Sequence, residues 1–208
     1  TVFHNNNQIE LKKIFRQTDE IYSTILNQIR EGKIKKRSND LLLQYVGRER
    51  DKKLVAEPTK IFPTKNKVEQ INTNRMSALH TEEKEFKIRY IKDVEMSVSE
   101  KETRRQFSEQ DIEIEFNFLT GNLMCEKEMK LKVGAQVMCI INIKSDQGDI
   151  LICNGSQGII IEFCNMTGFP KVKYNNGIEM VMMRHIWTSD KIPGIGVSQI
   201  PLILSWAL

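Results

Sequence analysis

The chain has 208 residues, of which 40% are hydrophobic and 28% charged, and its formal net charge at pH 7 is +4. This composition excludes disordered and collagen-like chains, and the length suffices for one large domain or two small ones. The small positive charge permits an anionic partner without requiring one. No apolar run approaches the roughly 20 residues that a membrane-spanning helix needs, so we predict no membrane partner.

The cysteines indicate the compartment. They stand at positions 125, 139, 153 and 164, without the CxxC pairs of common zinc sites, so we predict no metal site. Three of the four lie in apolar, strand-like runs, which favours buried thiols in a reducing compartment over disulfides. No signal peptide opens the sequence, and we therefore expect an intracellular protein.

Two helices are predicted in the first fifty residues. Apolar residues recur at helical spacing over residues 19–30, with Thr18 as the expected N-cap and Gly32 as the stop. A second short helix is expected around the sequence SNDLLLQYV, capped by Ser38 or Asn39.

The segment IFRQTD precedes the first helix and contains the first candidate site. Arg16 follows an apolar run and precedes a helix, so its guanidinium can project from a strand end toward an anion such as phosphate. On the residues alone, a surface or capping role for Arg16 stays open.

The segment IFPTKNKVEQIN predicts a strand over residues 59–62, a turn, and a helix over residues 67–79. A helix N-terminus offers unpaired N–H groups and a positive dipole, which together favour a phosphate. Four polar side chains can add hydrogen bonds or positive charge there: Thr64, Lys65, Asn66 and Lys67. Two interpretations remain open, a contact with single-stranded DNA and an ordinary polar helix start.

The middle of the chain is heavily charged. Within it, FKIRYIKDVEM alternates like a half-buried strand. Residues of about 95–117 have little to bury, so we predict a charged insert there, either a solvated helix or a mobile insertion.

From about residue 130 the pattern changes to five or six strand-like runs separated by turns that contain glycine. This spacing predicts a small antiparallel barrel over residues 132–200. The sequence NGSQG is expected to form a hairpin turn, with Asn154, Gly155 and Gly158 supplying its positive φ angles.

Motifs of common catalytic centres are missing from the sequence. It contains no GxxxxGK[ST], GxSxG or HExxH pattern and no paired carboxylates that indicate catalysis. Taken alone, the chain therefore has no catalytic centre that the residues reveal.

Taken in order, these segments resemble the PIF (petite integration frequency) type of helicase, relatives of the RecD subunit within superfamily one. The resemblance rests on four stretches, LKKIFRQTDEIYSTILNQIREG, IFPTKNKVEQIN, LKVGAQVMCIINI with NGSQG, and IPLILSWAL. It implies an α/β fold. An incomplete RecA-like parallel sheet with helices would occupy residues 1–131, an inserted SH3-like antiparallel barrel residues 132–200, and a return strand residues 201–208.

The resemblance also implies an ATP-driven helicase that moves 5′ to 3′ on single-stranded DNA. Arg16 would be an arginine finger toward the γ-phosphate, supported by Gln17, while residues 64–67 would contact the DNA backbone. ATP and Mg²⁺ would be held mainly by a first RecA-like domain of the same polypeptide, and the glycine residues near 154–158 would form a structural turn.

The motifs of that first domain are missing from this sequence, and its apolar ending, IPLILSWAL, suggests a segment of a longer polypeptide. We therefore expect no ATP hydrolysis by the chain alone. Two alternatives stay open: a non-enzymatic module that binds single-stranded nucleic acid, and a protein-interaction fragment.

Overall fold

The computed structural model describes residues 14–15, 17–48 and 54–208. The chain divides into two compact units, residues 1–49 and residues 50–208. Each unit is described by itself below.

The first unit contains two helices, α1 (Glu20–Arg30) and α2 (Lys36–Leu43). The predicted N-cap of α1, Thr18, is wrong. The cap is Asp19, whose carboxylate accepts a hydrogen bond of 2.9 Å from the Tyr22 N–H. A carboxylate in this position pairs one of the unpaired first-turn N–H groups and also favours the positive end of the helix dipole.

The predicted caps of α2 are also wrong. The helix begins before Ser38 and Asn39, and its N-cap Lys35 makes no side-chain capping bond. Instead, the Lys35 N–H donates to the Gln28 side-chain oxygen at 2.9 Å, so the first helix holds the start of the second. The predicted stop of α1 is confirmed, since Gly32 follows it with φ +67°.

The second unit contains, among its described residues, three helices and twelve strands. The helices are α3 (Lys65–Ser77), α4 (Val98–Arg104) and α5 (Glu109–Asn122). The strands are β1 (Glu83–Lys87), β2 (Arg89–Ile91), β3 (Glu128–Lys132), β4 (Gln136–Cys139), β5 (Ile143–Lys144), β6 (Ile150–Ile152), β7 (Gln157–Phe163), β8 (Pro170–Tyr174), β9 (Glu179–Val181), β10 (His185–Thr188), β11 (Gly196–Gln199) and β12 (Leu202–Leu204).

These strands form antiparallel sheets. The largest has the order β12-β4-β7-β8-β9, a three-stranded sheet has the order β10-β11-β2, and two pairs are β1-β3 and β5-β6. Among the described strands no ladder joins β12 to β9, so the barrel stays a prediction. Among the residues that the structure describes, parallel pairing is present as one isolated bridge, between Lys60 and Ala207. The mixed α and β composition is therefore confirmed, while the incomplete parallel sheet stays a prediction.

The larger core lies on the five-stranded sheet. Alternate residues of its strands point inward, and the fully buried side chains include Val137, Ile160, Val172, Tyr174 and Leu202. This alternation follows from the two-residue period of a strand, which places every second side chain on the same face. This core holds in place the strands that support the candidate site described below.

A second, smaller core lies under α5, where a solvated helix or mobile insertion was expected. The prediction of a helix is confirmed, but the expectation of little to bury is wrong. Ile112 and Phe116 of α5 are buried against Ile192, Ile195 and Val197. The sequence obscured this face because acidic residues alternate with the apolar ones in DIEIEF, whereas in a helix the apolar residues four apart lie on one side.

The NGSQG segment forms a turn, although the predicted hairpin is wrong. β6 pairs with β5, and β7 pairs with β4 and β8, so the turn links two different sheets. Gly155 has φ +92°, as predicted, and its N–H donates to the Cys139 carbonyl at 2.8 Å. The Asn154 N–H donates to the Asn142 side-chain oxygen at 2.7 Å, which holds the other side of the turn, but Asn154 does not have the positive φ angle predicted for it.

Gly158 does not supply the positive φ angle predicted for it. It lies in β7, where a Cβ atom would come within 2.5 Å of the Lys173 carbonyl oxygen and 2.7 Å of the Val172 side chain. Glycine is therefore required here by the close approach of β8 to β7.

The four cysteines carry free thiols, but only two are buried. Cys125 and Cys139 lie in the core, and burial raises the pKa of Cys125 to about 11 and raises that of Cys139 as well. The expectation of burial is wrong for Cys153, which is exposed, and Cys164 is half-buried. Hydrogen bonds with Thr167 and its neighbours lower the pKa of the Cys164 thiol.

Candidate nucleic-acid interface

The candidate site begins where a short extended segment pairs in parallel with residues 206–208. The Lys60 N–H donates to the Trp206 carbonyl at 3.0 Å, the Leu208 N–H to the Lys60 carbonyl at 2.9 Å, and the Phe62 N–H to the Leu208 carbonyl at 2.8 Å. The short strand predicted at residues 59–62 is thus present as this extended pairing. The chain leaves it at Pro63 and enters α3 two residues later.

The first turn of α3 carries the four predicted polar residues together. Thr64 is the N-cap, with an extended backbone, and its side chain makes no capping hydrogen bond. No acidic residue lies in the first turn, and all four side chains are exposed. The N–H groups of this turn and the Thr64 hydroxyl therefore face solvent without a side-chain cap, as a bound anion requires.

The local charge at this turn is positive. Lys65 and Lys67 have no ion-pair partner among the described residues, and the acidic residue closest in sequence within α3, Glu69, follows in the second turn. Two unpaired ammonium groups beside the positive end of a helix dipole attract a phosphate, and salt screens that attraction.

Side chains elsewhere in the second unit hydrogen-bond the extended segment that precedes the turn. The Thr59 hydroxyl donates to the Ser205 carbonyl at 2.7 Å and accepts from the Gln157 amide at 2.7 Å. The Gln136 side chain exchanges two hydrogen bonds with the Glu57 main chain, of 2.7 and 2.8 Å. These bonds anchor the segment that delivers the turn to the surface.

The far end of α3 is also fixed. Met76 is buried in the larger core, and the Lys132 ammonium donates to the carbonyls of Met76 and Leu79 at 3.2 and 2.9 Å. A cation at this end complements the negative end of the helix dipole. Arg75 pairs with Glu57, which ties the last turn of α3 to the extended segment.

Sequence reasoning missed the buried amides in this region. Asn72 of α3 and Gln136 of β4 are 9% and 1% exposed, and both hydrogen-bond the main chain of distant residues. The available signal was a polar residue placed on the apolar face that Val68 and Met76 define. Such a residue is buried only when its hydrogen bonds are made.

The predicted catalytic pair is not built by the described residues. Arg16 lies outside them, so its role as an arginine finger stays a prediction. Gln17 is half-buried and belongs to the first unit, whereas residues 64–67 belong to the second. In the part of the chain that the structure describes, no group of three His, Cys, Asp or Glu side chains is arranged to hold a metal ion. Likewise, none of the helices described has the length and apolar content to cross a membrane.

Comparison with known proteins identifies the family that this chain resembles. The family model described as DNA helicase Pif1, 2B domain, matches residues 115–163. An uncharacterized protein, 030L, of Invertebrate iridescent virus 6 is 30% identical over 176 residues, covering 82% of this chain and 32% of the viral protein. The ATP-dependent DNA helicase PIF1 of Danio rerio is 27% identical over 205 residues, covering 96% of this chain and 28% of that protein.

The fold agrees with these matches. A crystal structure of a double mutant of the Pif1 helicase from Bacteroides aligns with a TM-score of 0.62 at 26% identity, covering 95% of this chain and 41% of that one. The chain spans about a third of the length of the curated relatives it matches. These matches confirm the resemblance to PIF-type superfamily-one helicases, and they assign it to the C-terminal region of those proteins.

Proposed function

We propose that this chain is the strand-gripping part of an ATP-dependent DNA helicase that moves 5′ to 3′ on single-stranded DNA. The observation that carries the proposal is the first turn of α3, where residues 64–67 expose an uncapped helix start and two lysines that have no ion-pair partner in the described part of the chain. The relatives named ATP-dependent DNA helicase PIF1 support the activity and the use of ATP.

The turn suits the backbone of a nucleic acid rather than its bases. Phosphate oxygens accept from the first-turn N–H groups, from the Thr64 hydroxyl and from the Asn66 amide, while Lys65 and Lys67 supply charge. Contacts of this kind carry no sequence information, which suits a protein that must move along DNA of any sequence.

ATP hydrolysis requires residues that this sequence does not carry. In the proposed arrangement, a first RecA-like domain of the same polypeptide holds ATP and Mg²⁺, and Arg16 reaches the γ-phosphate with support from Gln17. The 208 residues contain no GxxxxGK[ST] loop, so we propose that the chain alone does not hydrolyse ATP.

The remaining parts of the proposal concern architecture. Residues 132–200 would form the SH3-like insert, and residues 201–208 would return to an incomplete RecA-like sheet with parallel strands. The parallel bridge between Lys60 and Ala207 supports the return strand. The charged region near residues 95–117 would belong to the RecA-like part.

A second function is supported by the same turn. All four polar residues of the turn belong to this chain, so a non-enzymatic module that binds single-stranded nucleic acid would use the same contacts. The response of ATP hydrolysis to single-stranded DNA distinguishes the two functions. A parent polypeptide whose ATP hydrolysis rises when single-stranded DNA is added is a helicase motor, and one without this response is a binding module.

The DNA contact is tested by changing Thr64→Ala together with Lys65→Ala. The affinity for a fluorescent oligothymidylate, measured by anisotropy, is expected to fall about tenfold, because a charged hydrogen bond and an attraction are both lost. The slope of log affinity against log salt is expected to become shallower by about 0.7 for one lost phosphate contact.

The matched control removes the same residue types elsewhere in the second unit. Lys101 and Thr103 are exposed on α4, so Lys101→Ala with Thr103→Ala keeps the net charge equal to that of the test variant. Equal losses of affinity in the two variants would mean that only overall charge matters and that the turn is not the contact.

A further inference from the structure

Asn72 connects the middle of α3 to the main chain of Ala207. The Asn72 amide nitrogen donates to the Ala207 carbonyl at 3.1 Å, and the Ala207 N–H donates to the Asn72 side-chain oxygen at 3.0 Å. Both hydrogen bonds are buried, and together they pair the amide with a single residue in the way that a neighbouring strand would.

The same short segment also holds the strand before the turn. Lys60 bonds to Trp206 and Leu208, on either side of Ala207, as the centre of a parallel pairing. The N–H and carbonyl of Ala207 itself therefore point the other way, toward Asn72. Residues 206–208 thus hydrogen-bond both the extended residues 60–62 before the candidate turn and the helix α3 after it.

Besides Asn72, the middle of α3 is held by Ile71, which is half-buried and packs against the larger core. Among its thirteen residues only Asn72 and Met76 are buried. A cavity of about 220 Å³ lies beside the helix, lined by residues of α3, of β12 and of the segment around Met124. Because apolar packing leaves a cavity on this side, the two hydrogen bonds of Asn72 act together with the packing of Ile71 and Met76 to determine how the helix sits on residues 206–208.

We propose that Asn72 is a positioning residue for the DNA-binding turn, an inference that rests on the proposed function. It lies seven residues, about 10 Å along the helix axis, from Lys65. By fixing α3 to the same segment that fixes residues 60–62, Asn72 sets the orientation of the first turn of α3, with its Thr64 hydroxyl and two lysines, relative to the extended residues 60–62.

A double-mutant cycle on the full 208-residue chain tests the inference. Affinity for oligothymidylate is measured for the unchanged chain, Asn72→Ala, Lys65→Ala and the double variant, at a temperature where thermal unfolding shows all four folded. Asn72→Ala is expected to weaken binding roughly fivefold, and Lys65→Ala to lose most of its effect in the Asn72→Ala background, because coupled residues are not additive.

The control is another buried side-chain amide, which hydrogen-bonds main-chain carbonyls away from the turn. Gln199 is fully buried, and its amide nitrogen donates to the Phe86 and Glu126 carbonyls at 2.9 and 3.0 Å. Gln199→Ala is expected to lower the thermal midpoint while leaving DNA affinity and the effect of Lys65→Ala unchanged. A loss of affinity in Gln199→Ala equal to that in Asn72→Ala would show that stability alone matters.

A second variant guards against a failure to fold. Asn72→Leu fills the space of the amide with a side chain of similar shape, adds no charge and loses both hydrogen bonds, so it is expected to reproduce the loss of coupling. Full additivity with Lys65→Ala in either variant overturns the positioning role. If Lys65→Ala does not weaken binding in the unchanged chain, the DNA contact itself is wrong, and the proposed function fails before the positioning role is reached.

Discussion

Single residues with unusual surroundings determine much of the second unit. Asn72, Gln136 and Gln199 are buried amides, and each bonds the main chain of residues more than sixty positions away. Asn and Gln are mostly exposed in proteins, so composition and periodicity place them on the surface. Their long-range partners could not be predicted from the sequence, because hydrogen bonds of this kind depend on where distant segments come together.

Gly158 offers a test at the same scale. Gly158→Ala is expected to lower the free energy of unfolding by roughly 1–3 kcal/mol, because its Cβ would press against the main chain of β8 and cannot be relieved by a side-chain rotation. Chemical denaturation of the second unit provides the measurement.

Gly121 is the matched control for that substitution. It lies in the last turn of α5, and a Cβ there would meet nothing within 4 Å. Gly121→Ala is expected to be neutral or to stabilise by up to about 1 kcal/mol, since alanine loses less backbone entropy in a helix. Equal destabilisation by the two substitutions would contradict the close approach of β7 and β8.

Among the elements, α5 shows best how a charged sequence forms a packed helix. Its start is fixed by a capping box, in which the Ser108 hydroxyl accepts from the Asp111 N–H and the Asp111 carboxylate accepts from the Ser108 N–H. Phe116 is buried and meets Tyr90 of β2 in an edge-to-face contact with ring centroids 5.0 Å apart. The charged insert expected from the sequence is therefore part of the fold.

The packing of α5 leads to a prediction that compares two phenylalanines. Phe116→Ala is expected to cost about 3–5 kcal/mol of unfolding free energy, because it leaves a cavity in the smaller core. Phe118, two residues on, is 63% exposed, so Phe118→Ala is expected to cost less than about 1 kcal/mol. Similar losses for both, measured by urea denaturation, would contradict the burial of one face of α5.

The helix α3 is the element that the sequence predicted most closely. The structure begins it at Lys65 and ends it at Ser77, two residues earlier than predicted at each end. Its polar start was predicted from local residues alone, because capping and helix dipoles depend on neighbours in sequence. The two hydrogen bonds of Asn72 were not predicted, because their partner, Ala207, lies 135 residues away.

At the scale of the whole molecule, the chain consists of two units, and the proposed motor adds a domain that this sequence does not contain. The arginine-finger proposal belongs to this scale, since Arg16 acts only on a nucleotide bound elsewhere in the parent polypeptide. In that full-length protein, Arg16→Ala is expected to reduce ATP hydrolysis by at least about 10³-fold while sparing DNA binding.

That prediction needs two measurements on one variant. ATP hydrolysis is followed in the presence of saturating single-stranded DNA, and DNA affinity is followed by anisotropy in the absence of nucleotide. Arg30→Ala, a change of an exposed arginine at the end of α1, is the control and should leave both unchanged. A parallel loss of both activities in Arg16→Ala would remove the finger assignment.

The sequence by itself determined the local features of this protein. Helical spacing, the glycine stop at Gly32, the positive φ of Gly155 and the polar start of α3 follow from interactions among residues close in the chain. The four motif stretches also carried the family resemblance, which the comparisons confirm.

Only the tertiary structure decided the rest. It assigned β6 and β7 to different sheets and buried one face of α5. It also joined residues 60–62 and α3, which lie before and after the candidate turn, to residues 206–208. Strand pairing, burial and the hydrogen bonds of buried amides depend on which distant segments come into contact. A pattern of residues along the chain restricts those meetings, but the packing of the whole unit selects among them.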